Sequence, residues 1–306
     1  MPIFQINSKK HLELVRENDF KLEKEIQKLT EDNLKTIFDL EFVKSEFSLN
    51  SLRIDTLAFD ISSSSFVIIE YKRDKNFSVV DQGLAYLGLM LNNKADFILE
   101  YNERDKNILR KDSVDWSQSK VLFIAPSFTT FQREAINFKN LPIELWEIRR
   151  YQNDLVSYTR VQSATKAQES ISTITKESTQ IEKIEKEVKV YTEQEHIQNA
   201  SDEVKELYEK FKTVVLNLDD IDIVPKKQYV AFIGSRNIFD INIQRNAIKI
   251  WINLSKGELK DEKQLTRDVS SIGHWGNGDY EVVIKNEENI DEIMPLLKQS
   301  LNKNKK

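Results

Sequence analysis

A long polar segment divides this chain and limits the size of any single hydrophobic core. Residues 162–199 contain no Gly, Pro, Phe or Trp, and their few apolar residues are widely spaced among polar and charged ones. A segment of this composition buries little apolar surface, so the sequence predicts a linker that is at most partly helical. The 306-residue chain is therefore expected to fold as an N-terminal domain at 1–161 and a C-terminal domain at 200–306.

The residue types that are rare in this chain exclude several kinds of site. Because there is no cysteine, a disulfide scaffold, a thiol nucleophile, an iron–sulfur cluster and a cysteine-bound zinc are excluded. The histidines are His11, His196 and His274, which lie far apart along the chain and disfavour a histidine-rich metal site. A metal site must then consist mostly of carboxylates, which favours hard cations such as Mg²⁺ or Mn²⁺.

Neither the apolar runs nor the charge of the chain indicate a membrane protein. The longest uninterrupted apolar run lies at 83–91, and it is well short of the ~20 residues that cross a bilayer. The first residues lack a basic segment followed by a long apolar stretch, so we expect a cytoplasmic protein. The net charge of −5 provides no general attraction to nucleic acid, which would require local clusters of Lys and Arg.

The N-terminal domain has the pattern of a mixed α/β layer fold. Apolar residues at helical spacing predict helices at 21–38, 79–92 and 131–138. Apolar runs between turn residues predict strands at 40–47, 52–60, 66–72, 120–125, 143–149 and 155–160. A serine-rich turn at 61–65 would pair the two strands beside it in antiparallel fashion. We therefore expect a mixed sheet flanked by helices.

Charged residues at the end of the strand 66–72 suggest a catalytic site. Side chains alternate across a strand, so Glu70 and Lys72 project from one face and Tyr71 from the other. Asp55, on the preceding strand, would reach the same open end of the hairpin as Glu70. Two carboxylates held close together repel, and a divalent cation resolves that repulsion. Asp55, Glu70 and the backbone carbonyl of Tyr71 can supply its oxygen ligands, with Lys72 beside the attacking water or a phosphate.

The helix that follows adds an amide and a phenol to this group. Gln82 and Tyr86 lie four residues apart, so they share one helix face and can reach the same site. A Glu-x-Lys pattern alone is a weak signal in so charged a chain, but the copy at Glu70 closes an apolar strand and follows Asp55. The alternative is that these carboxylates form only a surface ion network with nearby Lys and Arg side chains.

The pattern Asp55, Glu70-x-Lys72 and Gln82-x-x-x-Tyr86 resembles the PD-(D/E)XK nuclease superfamily over roughly residues 18–160. It is most similar to the branch of RecB-type and mismatch-endonuclease-type enzymes. The resemblance implies a restriction-endonuclease-like fold and a Mg²⁺-dependent enzyme that cuts phosphodiester bonds in DNA. It also implies that Asp55 and Glu70 bind the metal, that Lys72 positions the water, and that Gln82 and Tyr86 support the metal or the phosphate.

Two details of the resemblance concern single residues. Members of this superfamily carry a glutamate on the first core helix, and Glu23 fits that position best, with Glu25 as a rival that the spacing leaves open. The residue before the first acid is Ile54, where the superfamily pattern has Pro.

Two functions of other classes compete with a nuclease. One is a nucleic-acid-binding protein that does not cut. The other is a protein-interaction adaptor, which the acidic net charge and the long linker favour. The residues do not distinguish DNA from RNA as the partner. Cleavage of both strands would favour a homodimer, although no dimerisation pattern stands out.

The C-terminal domain is predicted to be an α+β fold in which helices cover one face of a sheet. Ser201 is expected to cap a helix, followed by strands at 229–233, 238–243, 247–252 and 280–284 and a helix at 291–301.

The most distinctive segment of this domain is 273–279, Gly-His-Trp-Gly-Asn-Gly-Asp, which holds three of the seven glycines of the chain. It predicts a tight turn held by Trp275, or alternatively a binding loop that uses His274 and Trp275. The segment resembles a domain of unknown function that recurs beside such nuclease cores. A recognition or assembly role, with a protein partner, is expected.

Overall fold

The computed structural model describes residues 2–50, 52–73, 77–104, 108–136, 141–161, 184 and 186–304. It divides into two compact units, Met1–Val190 and Tyr191–Lys306. The predicted linker at 162–199 lies largely outside the described residues. Within its described part, Ile184 and Val188 are buried in the hydrophobic core of the N-terminal unit. This end of the segment therefore packs on the N-terminal unit, although its composition predicted little burial.

The N-terminal unit has the predicted alternation of strands and helices, with an additional hairpin at its start. Its strands are β1 (Ile3–Ile6), β2 (Leu12–Val15), β3 (Glu17–Asn18), β4 (Glu41–Leu49), β5 (Leu52–Asp60), β6 (Ser65–Tyr71), β7 (Lys120–Ala125), β8 (Ile143–Tyr151) and β9 (Val156–Arg160). Its helices are α1 (Glu23–Glu31), α2 (Leu34–Phe38), α3 (Val79–Asn92), α4 (Lys94–Arg104) and α5 (Thr130–Ala135). The strands β1, β2 and β3 were not predicted.

Seven of these strands form a mixed sheet in the order β3-β8-β7-β6-β5-β4, with β9 paired to β8, whereas β1 and β2 pair with each other in a separate two-stranded sheet. β5 is antiparallel to β4 and β6, whereas β7 is parallel to both β6 and β8. Phe66 and Ile68 pack with α3 on one face, and Val67 and Ile69 pack with Ile26 of α1 on the other. The expected mixed sheet flanked by helices is confirmed, and the carboxyl ends of β6, β7 and β8 share one edge.

The single helix predicted over 21–38 is wrong, because the chain leaves the helical conformation at Asn33. The Asn33 side chain donates to the carbonyl of Leu29 at 2.9 Å, the acceptor that its own N–H would use in a continuing helix. That N–H bonds instead to the carbonyl of Thr30. A short polar side chain thus competes with the helix backbone and separates α1 from α2.

The C-terminal unit is built around an antiparallel sheet. Its elements are α6 (Glu193–Ile197), α7 (Asp202–Leu216), β10 (Asp222–Pro225), β11 (Val230–Ile233), β12 (Asn237–Ile243), β13 (Ile248–Ile252), β14 (Arg267–Asp268), β15 (Tyr280–Ile284) and α8 (Glu288–Asn304). The strand order is β10-β11-β12-β13-β15-β14. Phe211 of α7 and Leu297 of α8 pack with Phe232 and Phe239 of the sheet. The separate α+β domain is confirmed. No helix in the described ranges has the length and apolar character needed to cross a membrane.

Candidate active site

Two carboxylates from neighbouring strands lie at the edge of the sheet where β6 ends. Thr56 of β5 pairs with Ile69 of β6, so Asp55, one residue earlier, lies level with Glu70. The Asp55 carboxylate accepts a hydrogen bond from the backbone N–H of Tyr71 at 3.1 Å. Glu70 is only 3% exposed. The antiparallel hairpin thereby brings both acids to one place.

The two carboxylates interact electrostatically. The pKa of Asp55 is raised from 3.8 to about 6, first by burial and then by the negative charge of Glu70. The Tyr71 N–H and the charge of Lys72 lower the pKa of Asp55 but do not cancel this rise. Both groups are hard oxygen donors, and a divalent cation bound by both would offset their repulsion.

A cation at this edge would not find a complete set of acidic ligands. In the part of the chain that the structure describes, no three His, Cys, Asp or Glu side chains form a cluster that could hold a metal ion. Mg²⁺, which keeps several waters and uses one or two protein carboxylates, tolerates such a sparse set better than a cation that needs an all-protein cage.

Glu70 is surrounded by donors from two elements. The Lys72 ammonium and the Gln82 amide each donate to Oε1 at 2.7 Å. The Tyr86 hydroxyl lies 2.9 Å from Oε2 and 3.0 Å from the carbonyl oxygen of Arg53, with one proton to donate between them. Gln82 also donates to the Tyr86 oxygen at 3.1 Å. The structure therefore brings Glu70, Lys72, Gln82 and Tyr86 into one hydrogen-bonded group.

Local sequence explains how α3 presents its two polar side chains. The hydroxyl of Ser78 caps the first turn, and Gln82 and Tyr86 follow one turn apart on the same face. Gly83 allows close packing on β8, since a Cβ there would lie 2.3 Å from Cδ1 of Ile143. Burial and the charge of nearby Glu70 raise the pKa of the Tyr86 phenol well above its ordinary range. The phenol therefore stays protonated and remains a donor.

Tyr71 and Lys72 point in opposite directions. The Tyr71 ring is buried among residues that pack against α1, and its hydroxyl accepts from Thr56 at 3.2 Å. The Lys72 side chain is 22% exposed and lies against Glu70 instead. Of Tyr71, only the main chain is available at the edge where the carboxylates lie.

The structure separates the two acidic candidates of the first helix. Glu23 accepts a hydrogen bond from the backbone N–H of Arg73 at 3.0 Å, one residue beyond Lys72. Glu25 lies 3.8 Å from the Arg150 guanidinium and accepts from the N–H of Lys21. Glu23 is therefore the acid beside the end of β6.

Sequence reasoning missed Gln27, which fastens α1 to the strand that carries Asp55. Its side chain is buried, and its amide donates to the Asp55 carbonyl oxygen at 2.9 Å and to the Ser45 hydroxyl at 3.2 Å. A polar residue next to Ile26, on a helix predicted to pack against the sheet, was the signal that could have revealed it.

A second missed feature is a residue of β4 with a left-handed backbone conformation, beside Asp55. Glu46 has a φ of 54°, in the left-handed region that non-glycine residues rarely adopt. It lies in β4 between the residues that pair with Thr56 and Ile54. Its charge contributes to the raised pKa of Asp55. Strained backbone of this kind is often found at functional sites. No local pattern predicts it.

In the C-terminal unit, the glycine-rich turn is held by Trp251 and Asp240. Trp275, predicted to hold it, is 61% exposed, so that prediction is wrong. A Cβ at Gly276 would lie 2.5 Å from the Trp251 ring, which shows how closely the loop packs there. The buried Asp240 carboxylate accepts from the backbone N–H and the side-chain amide of Asn277 at 2.6 and 2.8 Å. The turn is thus anchored by long-range contacts.

Comparison with known sequences gives two findings. Residues 193–303 match the family described as "Domain of unknown function (DUF5655)". The predicted resemblance of the C-terminal domain to a domain of unknown function is thereby confirmed. A protein of Haemophilus influenzae described as "Uncharacterized protein" is 50% identical over 302 residues, covering 98% of this chain and 99% of that protein.

Comparison with solved structures gives partial matches. One is the "EndoMS-dsDNA2 complex", at a TM-score of 0.29 and 16% identity over 44% of this chain and 51% of that one. Another is "a repair endonuclease from Pyrococcus abyssi", at a TM-score of 0.26 and 16% identity over 43% of this chain and 50% of that one. The chain therefore spans about half the length of these solved chains.

Proposed function

We propose that this chain, which belongs to the same protein family as the Haemophilus influenzae relative, is a Mg²⁺- or Mn²⁺-dependent endonuclease that hydrolyses phosphodiester bonds in DNA. The observation that carries the proposal is the pair of Asp55 and Glu70 at one sheet edge, with the Lys72 ammonium 2.7 Å from Glu70. Two carboxylates held close together destabilise the folded protein, so a purely structural role does not account for this arrangement. The C-terminal unit is proposed as a recognition or assembly module.

The proposed ligands of the cation are Asp55, Glu70 and the main-chain carbonyl of Tyr71. All supply oxygen, the donor that Mg²⁺ and Mn²⁺ prefer. The raised pKa of Asp55 supports this assignment, because burial and the charge of Glu70 disfavour the ionised Asp55 carboxylate, and a bound cation would offset that effect. A bound divalent cation would acidify water and withdraw charge from the phosphoryl oxygens and the leaving alkoxide.

The remaining side chains orient the reacting groups. Lys72, partly exposed beside Glu70, is proposed to hold the attacking water or to neutralise charge that develops on the phosphate. Gln82 and Tyr86 hold the Glu70 carboxylate in one orientation through bonds to both of its oxygens. Glu23, beside the end of β6, is proposed as the acidic residue that α1 contributes to the site.

The test is cleavage of supercoiled plasmid and single-stranded DNA by the full-length protein with Mg²⁺ or Mn²⁺. We expect Asp55→Ala and Lys72→Ala each to reduce the rate by about 10²–10³-fold, the usual effect of removing a group that stabilises the transition state. The matched control is Glu25→Gln, which we expect to cut like the wild type because Glu25 faces Arg150.

Two outcomes would contradict the proposal. Equal cutting by the wild type and both variants would indicate a contaminating nuclease. Salt-sensitive DNA binding without turnover in either metal would favour a nucleic-acid-binding protein that does not cut.

A further inference from the structure

The β1–β2 hairpin joins the sheet at the edge that carries the candidate site. β3 pairs antiparallel with the end of β8, Glu17 with Tyr151 and Asn18 with Arg150. Since β8 is parallel to β7 and β7 to β6, this end of β8 lies at the same edge as Glu70. Followed backwards from β3, the chain continues beyond the end of β8 into β2. The hairpin is therefore attached to the sheet at the edge that carries Asp55 and Glu70.

The tip of the hairpin is basic and well ordered by its own hydrogen bonds. Lys9, Lys10 and His11 are all exposed there. The Asn7 side-chain oxygen accepts from the backbone N–H groups of Lys9 and His11 at 2.9 and 3.0 Å. The backbone N–H of Asn7 donates to the carbonyl of His11 at 2.9 Å, and Lys10 has a φ of 61°. These bonds fix the backbone conformation of the turn from which the Lys9 and Lys10 side chains extend.

Within the part of the chain that the structure describes, the basic side chains of the hairpin have no acidic partner. Neither Lys9, Lys10 nor the exposed Arg16 forms an ion pair with any residue that the structure describes. Arg149 and Arg150, near the base of the hairpin, are by contrast paired with acidic side chains. In a chain of net charge −5, an unpaired basic tip is a local exception that fits a polyanion.

One face of the hairpin is apolar and open to solvent. Phe4 pairs with Leu14 and Ile6 with Leu12, so the four side chains stand on the same face. Each of them is at least 50% exposed. A two-stranded ribbon has the dimensions to enter the major groove of duplex DNA, and apolar side chains on DNA-binding arms contact bases directly.

We propose that the β1–β2 hairpin is a second contact to duplex DNA. Lys9, Lys10 and Arg16 contact backbone phosphates that flank the scissile bond, and the apolar face lies in a groove. The inference rests on the proposed function, because it requires DNA to lie across the edge that carries Asp55 and Glu70. The phosphate contacts contribute affinity and orientation rather than sequence specificity.

The test measures binding of a 30-base-pair duplex by the full-length protein carrying Asp55→Asn, so that the DNA stays intact. We expect Lys9→Ala/Lys10→Ala to weaken binding about tenfold at ~0.1 M salt and to reduce the slope of log K against log salt by about 2. The matched control is Arg110→Ala/Lys111→Ala. It removes the same formal charge just ahead of β7, at the opposite end of the parallel strands.

The outcomes separate this inference from the proposed function. If the wild type cuts DNA and the tip variant binds with unchanged affinity and salt slope, the hairpin inference is overturned and the nuclease stands. If the wild type cuts single-stranded DNA but neither binds nor cuts duplex DNA, the hairpin inference alone is overturned; if it cuts neither substrate, both are overturned. If Phe4→Ser/Leu14→Ser turns a dimer into a monomer in sedimentation velocity without changing DNA affinity, the apolar face joins two copies of the chain and the inference is overturned.

Discussion

Asp55 and Glu70 share one sheet edge but differ in how their charges are supported. Glu70 lies within hydrogen-bond distance of Lys72, Gln82 and Tyr86. Among the described residues, the Asp55 side chain accepts a single hydrogen bond, from the backbone N–H of Tyr71. Burial, and after it the charge of Glu70, raises the pKa of Asp55 to about 6.

Asp55→Asn is expected to stabilise the protein at pH 7 and to abolish cleavage. A folded-state pKa of about 6, above the ordinary 3.8, means that the carboxyl stabilises the fold below about pH 4 and that this contribution is lost as the pH rises through 6. Asparagine keeps an acceptor for the Tyr71 N–H without the charge. We expect a gain of about 1–2 kcal/mol in the free energy of unfolding, a value kept small because the Asp55 carboxyl is partly exposed and solvent screens its charge.

Urea unfolding at pH 7 and pH 4 measures this effect. The gain should be present at pH 7 and absent at pH 4. The control is Asp19→Asn at an exposed position, which should leave the stability unchanged at both values. Equal stability of Asp55→Asn and wild type at pH 7 would show that the ionised Asp55 carboxylate does not destabilise the fold.

At the scale of elements, the candidate site depends on how closely α3 packs on the sheet. The apolar spacing over 79–92 predicted the helix, and its observed bounds are Val79–Asn92. The spacing does not reveal that one glycine of the helix meets β8 and another does not. Gly83 faces the side chain of Ile143, whereas a Cβ added at Gly88 would have, among the described residues, only Ile184 nearby, at 3.9 Å.

Gly83→Ala and Gly88→Ala are therefore expected to differ in sign. Both remove a glycine from a helix interior, a gain of about 0.5–1 kcal/mol. At Gly88 that gain is retained, because the added Cβ makes only ordinary contact. At Gly83 the Cβ would lie 2.3 Å from Ile143 Cδ1, and relief of the overlap costs about 1–3 kcal/mol. Thermal unfolding compares the two, and equal stabilisation by both would contradict the close packing of α3.

At the scale of the whole molecule, each unit has its own hydrophobic core. The N-terminal unit packs α3 on one face of its sheet and α1 on the other. The C-terminal unit packs α7 and α8 against its sheet around Phe211, Phe232 and Phe239. Because the two cores share no residue, we expect the units to unfold in separate transitions.

Calorimetry of the full chain tests this expectation. Phe211→Ala empties a fully buried position in the C-terminal unit and should destabilise that unit by about 3–5 kcal/mol. Millimolar Mg²⁺ should raise only the other transition, because the proposed ligands Asp55 and Glu70 belong to the N-terminal unit. A single transition that responds to both changes would contradict independent cores.

Several features of the protein follow from short-range regularities in its sequence. Apolar alternation and helical spacing predicted most strands and helices, and strand alternation predicted that Glu70 and Lys72 face one way and Tyr71 the other. The spacing of Gln82 and Tyr86 predicted that they share a helix face. Each of these depends on residues within a few positions of one another, so local geometry suffices to predict it.

Other features depend on contacts between residues far apart in the chain, and these became visible only in the folded protein. Only the fold distinguishes Glu23 from Glu25, places Gln27 behind Asp55, and holds Glu46 in a left-handed conformation. The β1–β2 hairpin escaped prediction because each strand has only four residues, so the alternation of apolar and polar residues in it is too short to stand out from the polar sequence around it. These features depend on long-range packing, which a pattern among neighbouring residues does not predict.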